Sequence, residues 1–179
     1  MKSIAVYCGA SLGAKPLYAD AARELARVLV EHNIALVYGG GKVGLMGVIA
    51  DEVLRLGGEA SGVIPRALLE REVGHPGLTR LFVVKDMHER KAMMSDLADG
   101  FIAMPGGMGT LEELFEMVTW RQLGIHAKPI GLLNTDGFWD QLMRFVVHQH
   151  DEGFVRPAHL EMMMVEQDPD ALVRRLQGM

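Results

Sequence analysis

Between Gly100 and Glu116 the chain reads as a buried strand, a glycine-rich turn and the start of a helix, an order that few folds accept. Gly100-Phe101-Ile102-Ala103 is apolar without alternation, as a strand covered on both faces would be. Pro105 and the glycines Gly106, Gly107 and Gly109 follow, and Thr110 is expected to open an amphipathic helix. Such a turn collects anions. Bare backbone lets a phosphate come close, and the unpaired N–H groups of the first helical turn point at it with the positive end of the macrodipole. The residues do not spell G-x-x-x-x-G-K-[ST], which excludes the nucleoside-triphosphate loop, nor G-x-G-x-x-G, so the dinucleotide fingerprint is not met. A smaller phosphate ester suits the turn, with Gly106, Gly107, Met108, Gly109 and Thr110 as its contacts.

The same order recurs along the chain. Ile4–Cys8 is a strand ending in the turn Gly9–Gly13, and a helix follows from about Pro16 to His32. Ile34–Tyr38 leads through Gly39-Gly40-Gly41-Lys42-Val43-Gly44 into a helix that ends near Leu56. Further strands are expected at Ala60–Ile64, Leu81–Val84, Pro129–Leu133 and Met162–Val165. Helices are expected from Asp86, from Phe138 to Asp151 and from Pro169. Arg66–Thr79, with Glu70, Arg71 and Glu72, is less regular. Strands alternating with helices imply an α/β chain: a Rossmann-like, doubly wound, mainly parallel sheet flanked by helices, forming one domain over residues 1–179. Ligands of such sheets sit beyond the carboxyl ends of the strands. The three glycine turns should therefore converge on one crevice, which adds Gly9, Ser11, Gly40 and Gly41 to the candidate contacts.

At 179 residues and 49% hydrophobic content there is ample core. A net charge of −5 and a pI near 5.8 argue against a nucleic-acid partner. The lone cysteine, Cys8, has no internal partner and reads as a reduced core thiol in a cytoplasmic protein. No apolar run approaches membrane-spanning length, and Met1-Lys2-Ser3 enters a strand at once, leaving no room for a signal peptide.

Glu113 has two readings. In Thr110-Leu111-Glu112-Glu113 it fits a capping box, folding back on the Thr110 N–H. Alternatively it is a carboxylate held beside a bound phosphate ester, where it could stabilise a cationic sugar or activate water. Glu116 lies on the same face and would complete a carboxylate pair, while Glu112 points aside. A second constellation is Asp86-Met87-His88-Glu89-Arg90-Lys91. Asp86 and Glu89 suit a helix cap; Arg90 and Lys91 then stand in a first turn that disfavours cations, which hints at an anion nearby. The plain alternative is a solvated basic pair on a surface helix. His88-Glu89 fails as a zinc motif because Ala92 replaces the second histidine, so no metal site is expected. On the central helix, Leu111, Phe115, Val118 and Gln122, with Leu114 beside them, should face the sheet. Met117 and Trp120 on the other side suggest either a neighbouring helix or a symmetric dimer contact.

Taken together, P-G-G-x-G-T-x-x-E (Pro105–Glu113), G-G-G-x-x-G-L-M-G (Gly39–Gly47) and M-H-E-R-K (Met87–Lys91) resemble the LOG (Lonely Guy) family. These are cytokinin-activating phosphoribohydrolases, often mislabelled lysine decarboxylases. The likeness continues through Thr119–Gly124, Gly131–Asn134 and Asp151–Phe154. It implies a Rossmann-like fold, a homodimer with the site near the subunit interface, and hydrolysis of the N-glycosidic bond of N6-modified adenosine 5′-monophosphates to free base and ribose 5-phosphate. No cofactor is implied. By the same resemblance Arg90 and Glu113 match the catalytic pair, and Glu72, Lys91, Gly107–Thr110 and Thr119 match nucleotide-binding positions. Met108 stands where an aromatic is frequent and Ala10 where a serine is common. Three other readings remain: a general AMP nucleosidase, a non-catalytic nucleotide or molybdenum-cofactor carrier, and a pyridoxal-dependent decarboxylase, for which the chain is short.

Overall fold

The computed structural model describes residues 1–69 and 74–178. Among them are seven strands: β1 (Ser3–Tyr7), β2 (Ala35–Tyr38), β3 (Ala60–Pro65), β4 (Arg80–Val84), β5 (Gly100–Ala103), β6 (Ile130–Leu133) and β7 (Met163–Glu166). They form one sheet in the order β4-β3-β2-β1-β5-β6-β7, every pair parallel. The helices between them are α1 (Leu17–Glu31), α2 (Gly44–Arg55), α3 (Arg66–Leu69), α4 (Met87–Leu97), α5 (Met108–Gln122), α6 (Asp140–Asp151), α7 (Pro157–Leu160) and α8 (Pro169–Gln177). This is the doubly wound Rossmann-like α/β architecture expected from the alternating elements.

Two buried clusters cover the two faces of the sheet, which is why its inner strands are largely apolar. On one face Ile4, Val6, Leu36 and Ile102 meet Leu25 and Leu29 of α1, Ile49 of α2 and Leu172 of α8. On the other, Ala5, Tyr7, Phe101 and Leu132 meet Met94 of α4, Leu114 and Met117 of α5 and Val146 of α6. Each fully buried Leu, Ile or Met contributes roughly 1.5–3 kcal/mol, so the sheet and its ligand edge are held firmly.

The chain leaves β1 toward β2 on one side, and β5 joins β1 on the other, with Tyr7 registered on Ala103. That reversal makes the crevice beyond β1 and β5 the ligand position of the fold. Several element boundaries differ from the sequence reading. The helix expected from Phe138 begins at Asp140 as α6, with a 3-10 turn, Thr135–Gly137, ahead of it. The Asn134 side chain braces that start, accepting from the Trp139 N–H and donating to Asp140, each at 2.8 Å. The short helix α7 was not expected at all.

Candidate functional site

The three glycine turns meet at the carboxyl edge of the sheet. The Gly9 N–H donates to the Pro105 carbonyl (3.1 Å), joining the turn after β1 to the turn after β5. The Gly9 carbonyl in turn accepts from the Leu45 N–H (3.0 Å), joining it to the turn after β2. Between the first and third turns lies a cleft of about 190 Å³, bordered by Gly9, Ser11, Gly106 and Gly107 and walled by Tyr18 and Phe138. The two aromatic rings pack edge to face at 5.9 Å. Neither was singled out in the sequence as a candidate contact.

The glycines of the third turn divide into two kinds. A Cβ on Gly106 would lie 2.1 Å from Thr110 Oγ1 and 2.9 Å from the Gly9 nitrogen, so packing demands that glycine. A Cβ on Gly107 or Gly109 would meet nothing within 4 Å. Packing does not require these two, and both are exposed, which leaves bare backbone open to a ligand at the start of α5. Met108, between them, is 84% exposed.

Helix α5 starts earlier than expected. Its N-cap is Gly107 and its first residue Met108, so Thr110 stands inside the helix and the proposed Thr110–Glu113 capping box does not form. The buried side is also different. Thr110, Glu113, Leu114, Met117 and Val118 face inward, while Leu111 and Phe115 are half-buried and Gln122 is exposed. Glu113 is thereby turned toward the sheet, and Met117 belongs to the core of its own chain. The hydrophobic pattern misleads because this end of the helix stands over the ligand edge, where inward positions carry polar groups.

Arg90 and Lys91 are each only 5% exposed, which removes the solvated-pair reading. Asp86 caps α4 as expected, accepting from the N–H groups of His88 and Glu89 at 3.0 Å. Glu89 reaches back to the Lys85 N–H instead of that of Asp86. With the helix start fixed, Arg90 extends beneath the ends of β2 and β3, donating from Nε to the Val63 carbonyl (3.1 Å) and from Nη2 to that of Gly39 (3.2 Å). Gly39 is needed there, since a Cβ would lie 2.0 Å from Arg90 Nη2. The guanidinium then stands 3.9 Å from Glu113 Oε1, joining α4 to α5 across the buried edge. At an effective dielectric near 20 such a pair attracts by about 4 kcal/mol, no more than burying two ions costs. Stability does not account for it.

Lys91 bonds Glu116 at 2.8 Å and also Glu112, whose carboxylate turns in to the ammonium instead of pointing aside. Burial alone would push the Lys91 ammonium down, but the hydrogen bonds it donates to Glu112 and Glu116 outweigh that and its pKa moves up. Glu116 is thus committed to a cation, unlike a free partner for Glu113 in a carboxylate pair. Glu112 could have been found from its spacing of four residues before Glu116 on one helix face.

The remaining expected contacts scatter. Ser11 is exposed at the cleft. Gly40 and Gly41 are buried under the segment after the undescribed residues: His75 N–H donates to the Gly40 carbonyl (3.0 Å) and Gly41 bridges Gly74. Both glycines are thus paired through their backbone with that segment. Thr119 is exposed nine residues beyond Thr110, roughly 13 Å along the helix axis, and is not brought to the turn. Glu72, with Glu70 and Arg71, lies outside the described residues. Among the described residues no three His, Cys, Asp or Glu side chains are grouped to hold a metal ion, and no helix is long and apolar enough to cross a membrane. Cys8 is buried just past β1, and burial raises its thiol far above the usual range.

A family model described as "Possible lysine decarboxylase" matches residues 46–176. The Arabidopsis thaliana cytokinin riboside 5′-monophosphate phosphoribohydrolase LOG7 is 49% identical over 98% of this chain and 81% of its own. The chain belongs to the LOG family. LOG2 of the same plant is 54% identical over 86% of this chain and 72% of its own. Among solved structures, a structural-genomics target matches over the full length of both chains at 23% identity, with a TM-score of 0.76. The molybdenum cofactor carrier protein of Chlamydomonas reinhardtii matches at 20% identity over 99% of this chain and 98% of its own, with a TM-score of 0.72. At those identities the structural likeness is one of fold.

Proposed function

We propose that this LOG-family chain hydrolyses the N-glycosidic bond of adenosine 5′-monophosphates carrying an N6 substituent, releasing the free base and ribose 5-phosphate. The observation that carries the reading is the buried Arg90–Glu113 pair, set 3.9 Å apart beside a glycine turn with open backbone. The turn Gly106–Thr110 and the N-terminus of α5 bind the 5′-phosphate and so fix the ribose. As the glycosidic bond lengthens, positive charge grows on the sugar, and Glu113 stabilises it or takes a proton from the attacking water. Arg90 orients that carboxylate and balances negative charge on the phosphate or departing base. Lys91, clamped by Glu112 and Glu116, adds a fixed cation to the nucleotide site. A non-catalytic carrier would share the phosphate turn but has no use for this buried ion pair.

The test is a paired assay with AMP and isopentenyladenosine monophosphate, following free base by chromatography. Faster release from the prenylated substrate is expected. Equal or faster release from AMP would make the chain a general nucleosidase, and no release from either would remove the reading.

The chain acts, on this proposal, as a cytoplasmic homodimer. Supporting it, the chain just past α5 exposes Leu123 (69%) and Ile125 (62%), a few residues beyond the exposed Thr119. A second copy covering that end would bury the apolar pair and bring Thr119 toward a site. Sedimentation at micromolar concentration should give twice the chain mass; a monomer would reject the dimer.

A further inference from the structure

Tyr7 is the last residue of β1, one of the two strands that frame the crevice. Its ring stacks on Phe101 (centroids 6.1 Å apart, planes at 10°) and packs with Leu114 and Met117 of α5. The residue is 1% exposed. Its hydroxyl is nonetheless buried with no hydrogen-bond partner among the described residues. A phenol in such a place ordinarily finds one, because an unpaired buried O–H costs stability without return. The charges that bear on it are those of the site: Glu113, then Glu116, with Arg90 opposing them and Glu112 more distant in effect. Burial and these carboxylates together keep the phenol protonated, so it is a hydrogen-bond donor wherever Glu113 is ionised.

We propose that Tyr7 is a positioning residue, its hydroxyl and the Glu113 carboxylate together holding the water that the hydrolysis consumes; this rests on the activity proposed above. The hydroxyl donates to one lone pair of the water oxygen, and the carboxylate accepts one of its hydrogens. The second lone pair is left aimed at the anomeric carbon. The oxygen bonds to that carbon as the C–N bond breaks and its electron pair leaves with the base. One water proton passes to Glu113 and is later delivered, through solvent, to the base nitrogen, so the balance is addition of one water. Tyr7 keeps its own proton throughout.

The test is Tyr7→Phe, which removes one oxygen and keeps the ring. Because that oxygen has no partner among the described residues, the variant should melt a few degrees higher, as removing an unpaired buried group does. Turnover should nevertheless fall about tenfold, the worth of one well-placed hydrogen bond, with KM changed less than about twofold. A variant that melts lower, or does not fold, would show the hydroxyl paired within the scaffold and overturn the proposal. Unchanged kcat would overturn it too, and so would a raised KM at constant kcat, which would place the hydroxyl on the substrate. Wild-type protein in the same assay separates the two readings: no base release there is a failure of the activity itself, whereas an active wild type matched by Tyr7→Phe sinks only the role of Tyr7.

Discussion

Glu113→Gln is expected to lower turnover by roughly 10³-fold or more, about 4 kcal/mol of transition-state stabilisation, while nucleotide still binds. Gln fills the same volume, so the inward face of α5 stays packed. What it lacks is the negative charge and the capacity to take a proton. Both matter only once the glycosidic bond is breaking, so the loss should fall on kcat and leave KM nearly alone. Phosphate anchoring depends on the turn Gly106–Thr110 and should persist, which titration calorimetry with AMP can read. The rival account of this residue, a helix cap, is already excluded by the position of the N-cap at Gly107. A fully active Glu113→Gln enzyme would therefore leave the buried Arg90–Glu113 pair without any assigned purpose and would end the proposed mechanism.

How much of this could be read from the sequence follows the range of the forces involved. Strand positions and the sheet class were legible because most strands are short apolar runs, several of them closed by glycine or proline, a local signal. The convergence of the turns followed from the rule that parallel sheets bind at their carboxyl edge. Arg90 was a different matter. Its partners are the carbonyls of Gly39 and Val63, 51 and 27 residues away, and no local pattern distinguishes a guanidinium seated there from one in water. Lys91 is the same case, with its partners on α5. The inward face of α5 was misread for a related reason: a pattern that sorts by hydrophobicity sends Glu113 outward and Leu111 inward. The fold turns Glu113 inward and leaves Leu111 half-buried at the one end of the helix that overlies the ligand edge. The family motifs named Arg90 and Glu113 without giving a physical cause; the cause is the burial that the fold imposes on both.

The closeness of the turns that carry the site gives Gly44→Ala a large expected effect on stability. Gly44 opens α2 with φ at +63°, and a Cβ there would stand 2.3 Å from the carbonyl carbon of Ala10 and 2.4 Å from the Ser11 nitrogen. Both are backbone atoms of the turn after β1, tied down by the Gly9–Leu45 hydrogen bond, so no side-chain rotation relieves the clash. The left-handed backbone costs an alanine about 1–2 kcal/mol and the enforced shift of the turn adds at least as much. About 3 kcal/mol in all should lower the melting temperature by roughly 6–12 °C for a chain of this size. Gly57, just beyond the other end of α2, is the control: its φ is +81°, yet a Cβ there meets nothing within 4 Å. Gly57→Ala therefore carries the backbone cost alone, about 1–2 kcal/mol. The difference between the two variants measures how tightly the turns after β1 and β2 press together. If both melted at the same temperature, contact between those turns would contribute nothing to stability. The crevice would then owe its shape to the sheet alone.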